Sequence, residues 1–340
     1  MKPLDVRTLV AILSLTLLAA AIGCSAQGTQ EVVVYVSEDQ VFSEPILEDF
    51  ERETGIRVRA VFDTEEAKST GVMNRLVAER NNPQADVYWA NEPIRAESLR
   101  QQGMTSPYVS PAAAGIPTEY KNAEGHWTGF SARARVLLVH KNLPEKPSSV
   151  FDLADPRFRG RVAIANPLFG TTTAEIAALF ALKGDPWGRE FMGGLRANQV
   201  RVTGSNGESA DAVASGEVGF SLVDSDDAVS RMRQGRPIEM VVPDQGEGEA
   251  GVFLVPNAVL ILRGAPHLEA AKRLVDYLLA PETERKLAAA DCAQLPLQAG
   301  VEPPRELPPV ADLKLMIADY AKVAAKMKEL ESWLQTWSGM

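Results

Sequence analysis

The chain has 340 residues, with 45 acidic and 35 basic side chains, a formal net charge of −10, and 45% hydrophobic residues. This apolar fraction is sufficient for packed cores and excludes a disordered chain, and the length favours two lobes over a single domain. The acidic balance argues against a nucleic acid partner, because neutralising phosphates requires a basic surface.

The first residues are typical of an export signal. Lys2 and Arg7 give a positively charged start, and residues 9–22 form an apolar run shorter than the ~20 residues of a membrane-spanning helix. The run ends in AIGC, which resembles a bacterial lipoprotein signal in which Cys24 is lipidated. We expect a signal peptide over residues 1–24. An ordinary secretory signal and an uncleaved anchor are the alternatives, and all three place the rest of the chain outside the cytoplasm.

Strands and helices alternate through the first part of the chain, and Pro45 and Gly55 fit the first turn and the end of the first helix. The predicted strands are 32–36, 56–62 and 85–89, and the predicted helices are 43–54, 70–80 and 94–102. This order predicts a parallel sheet covered by helices on both faces.

The alternation continues to the C-terminus. The predicted strands are 134–140, 160–165, 199–202, 219–223, 253–255 and 258–262. The predicted helices are 172–182, 208–215, 267–279, 281–290 and, after an extended proline-rich segment over 303–309, 310–337.

If Cys24 carries a lipid, Cys292 is the one remaining cysteine, so no internal disulfide can form. The three histidines are scattered without the spacing of a zinc site.

Five phrases resemble segments of the periplasmic solute-binding proteins, and one of them, FDLADPRFRGR, is typical of the ferric-ion-binding group. They occur in the family's order. The phrases are FERETGIRV at 50–58, ADVYW at 85–89, FDLADPRFRGR at 151–161, GEVG at 216–219 and LLAPE at 278–282.

The resemblance implies a two-lobed α/β fold with a hinge, in which a ligand is trapped in the cleft and delivered to an ABC importer. Residues 31–129 and 251–305 would form lobe 1, residues 130–250 lobe 2, and residues 306–340 a helical segment packing on lobe 2. Residues 25–30 would be a tether. We expect a monomer at the periplasm or cell surface, held to the membrane only by its lipid.

A run of hydroxyl side chains, Thr171 to Thr173, follows Gly170 at the start of a predicted helix. Free backbone N–H groups and the helix dipole make such a start a site for anions. In the ferric-binding family this region holds the small anion that completes the iron shell, and Asn206 and Arg133 could assist. The alternative is simple N-capping by threonine.

Three carboxylates, Asp224, Asp226 and Asp227, follow a predicted buried strand. They repel one another unless a cation or several donors neutralise them. A hard metal ion, sugar hydroxyls or an ammonium group would serve. The alternative is capping of a helix that starts near Ala228, by Asp226 or Asp227.

The chain departs from the ferric-binding pattern at this point, because the family usually carries adjacent tyrosines where this chain has Asp224 to Asp227. The family's early histidine falls at Asp39 and its glutamate at Glu92. We therefore predict an all-oxygen metal site from Asp39, Glu92, Asp224 and Asp226, with ferric iron as the first candidate and carbonate or phosphate as its partner anion.

The alternative ligand is a phosphorylated sugar, a phosphonate or another anionic organic solute. Thr171 to Thr173 would hold its phosphate, the carboxylates its hydroxyls or amine, and Tyr88, Trp89 and Trp127 could wall the pocket.

No nucleophile elbow, P-loop or dinucleotide fingerprint is present, so we expect a binding protein with no required cofactor rather than an enzyme. A lipoprotein that senses its ligand without transport would have the same binding chemistry.

Overall fold

The computed structural model describes residues 30–63 and 70–339. The predicted signal peptide, the lipidation site Cys24 and most of the tether lie outside the described residues. Among the helices that are described, none is both long and apolar enough to cross a membrane.

Ten strands and ten α-helices form the described part of the chain. The strands are β1 Glu31–Val36, β2 Arg57–Phe62, β3 Val87–Ala90, β4 Thr105–Ser106, β5 Thr128–His140, β6 Val162–Ala165, β7 Arg201–Thr203, β8 Phe220–Asp224, β9 Ile238–Val241 and β10 Leu254–Leu262. The helices are α1 Gln40–Thr54, α2 Thr70–Ala78, α3 Pro93–Gln101, α4 Gly170–Lys183, α5 Asp185–Ala197, α6 Asn206–Ala214, α7 Ser225–Arg233, α8 Leu268–Leu278, α9 Pro281–Ala289 and α10 Tyr320–Ser338.

The strands run in the order β2-β1-β3-β10-β5-β8-β6-β7, with β4 on β10 and β9 on β5. The pairs β2-β1-β3 and β8-β6-β7 are parallel, whereas β10 and β5 join these two groups through antiparallel pairs. Strands such as β1 are almost wholly apolar because helices cover both faces of the sheet. The predicted mixed α/β fold is confirmed.

An irregularity in β5 interrupts its pairing with β10, shortly before the residues that pair with β8. Ser131 has a left-handed φ of 37°, and the β5–β10 register shifts between Pro256 and Asn257. Buried side chains hold this point, because Glu284 accepts from the Ser131 N–H at 2.6 Å and the Asn257 amide donates to the Ser131 carbonyl at 2.6 Å. Beyond it, strand alternation places Arg133 and Arg135 on the same face.

Several predicted boundaries were wrong. Helix α1 begins at Gln40, so Pro45 lies inside the helix rather than in its first turn. Strand β5 begins at Thr128 rather than Ala134, and β10 is one strand where two were predicted. Helix α5 was not predicted, although Pro186 in its first turn is a helix-start signal.

The last helix begins at Tyr320, ten residues after the predicted start. Asp319 fixes this start by accepting from the N–H groups of Ala321 and Lys322, and the segment before it is held by a bridge between Leu315 and Val252.

Helix α10 contacts both halves of the molecule. Its Trp333 packs edge-on against Phe180 of α4 with ring centroids 5.6 Å apart, and Tyr320 packs on Trp127 at the same separation. Gln101 at the end of α3 also donates to the Ala321 carbonyl. The C-terminal segment therefore bridges the two predicted lobes rather than resting on the second one only; the division into lobes itself stays a prediction.

Candidate functional site

A cavity of about 440 Å³ lies where strands β3, β6, β7 and β8 end. Open α/β sheets place ligands at this edge, because the loops after parallel strands meet there. The side chains that line it are mainly polar or charged. They include Asp39, Asn91, Arg133, Asn166, Phe169, Thr171, Ser205, Asn206, Asp224, Asp226, Asp227 and Arg231.

Three helices begin at the cavity. Helix α4 follows Phe169, which offers no side-chain cap, and α7 follows Asp224, whose carboxylate makes no cap hydrogen bond. In α6, Ser205 accepts only from the Glu208 N–H. The side chains that precede α4 and α7 therefore do not cap these helices, although the Asp227 N–H in the first turn of α7 donates to Asp226 at 2.8 Å. The positive ends of both helices favour an anion. Gly170, at φ 59°, makes the left-handed turn into α4.

Arg135 is fully buried, and each nitrogen of its guanidinium donates to a neighbour. Its Nε donates to Glu175 at 2.8 Å, Nη1 to Asp224 at 2.9 Å and to Thr171 at 3.1 Å, and Nη2 to Thr172 at 3.2 Å. Arg135 thus forms a buried, hydrogen-bonded ion-pair cluster with two carboxylates, which neutralise its charge and hold it in a structural role.

The Asp224 carboxylate is fully engaged in the same buried cluster. Besides Arg135, the Thr171 hydroxyl donates to it at 2.8 Å and the Asn206 amide at 3.1 Å. Burial opposes the charged form, but Arg135 and Arg133 outweigh burial and lower the pKa of Asp224. Its negative charge is thus balanced by the protein itself.

Arg133 also lines the cavity and is buried, but its contacts are looser. One Nη donates to the Asn91 carbonyl, and the other lies 3.6 Å from Glu38 and 4.0 Å from Asp224. Its Nε has no hydrogen-bond partner. Burial disfavours the charge, yet Glu38, Asp224 and Asp226 outweigh this and raise the pKa of Arg133, so the guanidinium stays charged.

Asp226 and Asp227 lie in the first turn of α7 beside Asp224, and one oxygen from each of the three residues falls within 4.8 Å of the others. Burial and the charge of Asp227 raise the pKa of Asp226 well above its usual value, against the attraction of Arg133. Asp227 pairs with Arg231 at 3.2 Å. Helix α7 begins at Ser225, so the alternative of a helix capped by Asp226 or Asp227 near Ala228 is wrong.

The structure brings six of the nine predicted ligand and anion residues to the cavity: Asp39, Arg133, Thr171, Asn206, Asp224 and Asp226. It does not bring Glu92 there. The buried Glu92 carboxylate accepts from the Arg95 N–H at 3.0 Å and caps α3. Thr172 accepts from Arg135, and Thr173 lines a different cavity.

The three aromatic residues suggested as pocket walls are core residues instead. Tyr88 bonds Ser37 at 2.9 Å, Trp89 donates to Asn257 at 3.1 Å, and Trp127 donates to Glu97 at 3.0 Å. All six tyrosines and all three histidines of the chain are among the described residues, and none lines the cavity.

Sequence reasoning missed Arg135, Glu175, Arg231 and Phe169. A usable signal for Arg135 was the alternating Ala-Arg-Ala-Arg run at 132–135, since two arginines on one face of a buried strand need buried acids.

Residues 85–324 match the family of bacterial extracellular solute-binding proteins. The chain belongs to that family. The resemblance drawn from the five phrases is thereby confirmed, and a cavity at the carboxyl edge of the sheet is where such a protein takes its solute.

Two curated relatives illustrate the range of the family. This solute-binding protein is 24% identical over 293 residues to a putative 2-aminoethylphosphonate-binding periplasmic protein of Salmonella paratyphi A, covering 85% of the chain and 80% of the relative. It is 27% identical over 289 residues to iron uptake protein A1 of Synechocystis sp., covering 80% and 77%.

A solved structure supports the fold. The periplasmic binding protein AfuA from Actinobacillus pleuropneumoniae, with fructose-6-phosphate bound, matches with a TM-score of 0.80 over 92% of this chain and 100% of its own, at 23% identity. At that identity the likeness shows the fold alone.

Proposed function

We propose that this protein binds an organic phosphonate or phosphate in the cavity outside the sheet and delivers it to an ABC importer without changing it chemically. It would act as a monomer in the periplasm or at the cell surface, anchored through Cys24. The observation that carries the proposal is the meeting of two helix starts without side-chain caps and the Arg133 guanidinium at one cavity.

The anionic end of the solute fits this part of the cavity. N–H groups at the starts of α4 and α7 can donate to phosphonate oxygens, and the helix dipoles favour their charge. Arg133 Nε adds a charged donor that the protein leaves unused. Because the pKa of Asp226 is raised, its carboxyl is protonated over a wider pH range than usual and can donate a further hydrogen bond.

The carboxylates that line the same cavity suit the rest of the solute's polar groups. Asp39 and Asp227 offer acceptor oxygens of the kind that bind hydroxyl or ammonium groups. A solute with an anionic end and a hydroxyl or amine close to it would therefore meet complementary charge at both positions.

Ferric iron is a second candidate, favoured by the close approach of Asp224, Asp226 and Asp227. The donor set fits it less well. No phenolate or imidazole lines the cavity, and Asp224 is already neutralised by Arg135. A metal would have to compete with that arginine and remove the proton from Asp226.

Isothermal titration calorimetry on the wild type and Asp226→Asn distinguishes the candidates, with methylphosphonate, 2-aminoethylphosphonate, and ferric nitrilotriacetate plus bicarbonate as probes. If the solute is a phosphonate, the two proteins bind it alike at low pH. The wild type then weakens relative to the variant as pH rises, because only the wild type gains a negative charge beside the anion. Ionisation of the phosphonate itself affects both proteins equally, so it cancels when their affinities are compared at the same pH.

If iron is the solute, Asp226→Asn lowers its affinity at every pH, and affinity in the wild type rises with pH as protons are displaced. Ferric binding of this kind, with no phosphonate binding, overturns the proposal.

A further inference from the structure

A second cavity adjoins the first at the start of α4. Its volume is about 580 Å³, and it lies between α2, α3, α10 and the β6–α4 connection. Phe169 lines both cavities, so they are neighbours. A volume of this size is within the range of small-molecule sites, roughly 300–1,000 Å³.

The walls of the second cavity differ in character from those of the first. Apolar side chains come from three directions: Met73 and Val77 from α2, Leu168 and Phe169 from the connection, and Met327 and Leu334 from α10. Its charged side chains are Arg95 on α3, which is held by Glu92 at 3.5 Å, and Lys328 and Glu331 on α10. The first cavity is lined mainly by polar and charged side chains, whereas this one offers a solute apolar surface as well.

Thr173 gives the second cavity a polar position. At ~100° per residue, it lies about 200° around α4 from Thr171, so the first turn of the helix presents one threonine to each cavity. The side chain of Thr173 is 94% buried (6% exposed), and its hydroxyl has no hydrogen-bond partner in the protein. Buried hydroxyls are normally hydrogen-bonded, so a polar group of a solute in this cavity would supply the missing partner.

We propose that the second cavity holds the uncharged organic body of the solute, with the anionic end in the first cavity and a hydroxyl, carbonyl or amide of the body bonded to Thr173. The inference rests on the proposed function and narrows it to phosphonates or phosphates that carry a largely apolar group. Phe169 lies at the junction, where it contacts the link between the two parts.

The test compares methylphosphonate, which can fill only the first cavity, with phenylphosphonate, by isothermal titration calorimetry on the full protein. We expect phenylphosphonate to bind at least about tenfold more tightly, as burial of a small apolar group allows. Val77→Trp, which fills the second cavity from α2, should remove this gain and leave methylphosphonate binding unchanged. Val109→Trp is the matched control, because Val109 is 77% exposed and lines neither cavity.

A second measurement does not depend on the stability of Val77→Trp. With 13C-methyl methionine labelling, phenylphosphonate should shift the NMR signals of Met73 and Met327, and methylphosphonate should not. Thr173→Val should weaken 4-hydroxyphenylphosphonate severalfold while leaving phenylphosphonate unchanged.

Equal affinity for the two phosphonates, with no shift at either methionine, overturns this inference and leaves the proposed function standing. If neither phosphonate binds, the proposed function fails and the inference falls with it.

Discussion

Arg133 and Arg135 lie two residues apart on one strand and are both buried, but their guanidinium groups differ in how many of their donors are used. Every nitrogen of the Arg135 guanidinium donates to a close neighbour, and two carboxylates balance its charge at 2.8 and 2.9 Å. Arg133 lines the cavity, lies 3.6 and 4.0 Å from its carboxylates, and has a buried Nε with no hydrogen-bond partner in the protein. Burial alone therefore does not distinguish a structural arginine from one that can bind a ligand. The distinction lies in how many of its N–H donors the protein already uses.

The largest effect on stability is expected from replacing Arg135, whose donors are all used. Arg135→Met leaves Glu175 and Asp224 buried without their partner, and breaking such a pair costs about 3–5 kcal/mol of the free energy of unfolding. Urea unfolding measures it. Arg201→Met is the control, since its pair with Glu217 is about half exposed and solvent screens it, so the loss should be much smaller. Equal losses in the two variants would contradict the structural role of Arg135.

Removing the unsaturated arginine should change binding more than stability. Arg133→Gln loses a charged donor at the anion position, worth about 1.5–3 kcal/mol, or roughly 10–150-fold in affinity. Titration calorimetry with methylphosphonate measures the loss, and urea unfolding should show a smaller decrease than for Arg135→Met. Unchanged affinity would remove Arg133 from the proposed site.

The protonation of Asp226 should affect stability, because a protonated Asp226 leaves Arg133 with less negative charge around it. Its raised folded-state pKa means that the ligand-free protein loses stability as pH rises from the unfolded value, about 3.9, towards the folded one. Asp226→Asn removes this loss and keeps an oxygen for the Asp227 N–H. Its Tm should equal that of wild type near pH 3.5 and exceed it at neutral pH, by about 1–2 °C for each kcal/mol in a chain of this length.

Thermal unfolding across pH 3.5–8 tests this sign directly. A wild type that is the more stable protein at neutral pH would mean that Asp226 is ionised and paired in the free state.

The sequence predicted the edge of the sheet at which the site lies, because that edge follows from strand order alone. Asn206, Asp224 and Thr171 come from three different loops, yet each follows or precedes a strand end that was placed within a few residues. The role of each side chain at this edge was harder to predict, since it depends on neighbours that are distant in sequence. Arg135 and Asp224 are 89 residues apart, and their pairing is what neutralises the Asp224 carboxylate.

Glu92 is a case where a local signal was available and was overruled by the resemblance. A proline such as Pro93 is typical of the first helical position, which puts Glu92 at the N-cap, and the structure uses Glu92 so. For the late start of α10 the local signal was Asp319, a preferred N-cap residue. What holds the preceding segment out of the helix had no local signal, because the bridge between Leu315 and Val252 joins segments 63 residues apart.

The pair of Arg233 and Glu306, near the surface, should contribute least to stability. Arg233 at the end of α7 donates to Glu306 at 3.0 Å and, with Arg305, lowers the pKa of Glu306 from 4.5 to about 2. A lowered pKa stabilises the fold above the unfolded value, and this contribution is lost as pH falls from 4.5 towards 2. Glu306→Gln should therefore lower the free energy of unfolding by about 1 kcal/mol at pH 7, since Arg233 is a quarter exposed and solvent screens the pair. In urea unfolding this difference should shrink below pH 4.5. The loss in Arg135→Met should already shrink as pH falls from neutral, because Glu175 and Asp224 bind protons more readily once Arg135 is absent. If both differences changed over the same pH range, the contrast between the buried arginine and the surface pair would not hold.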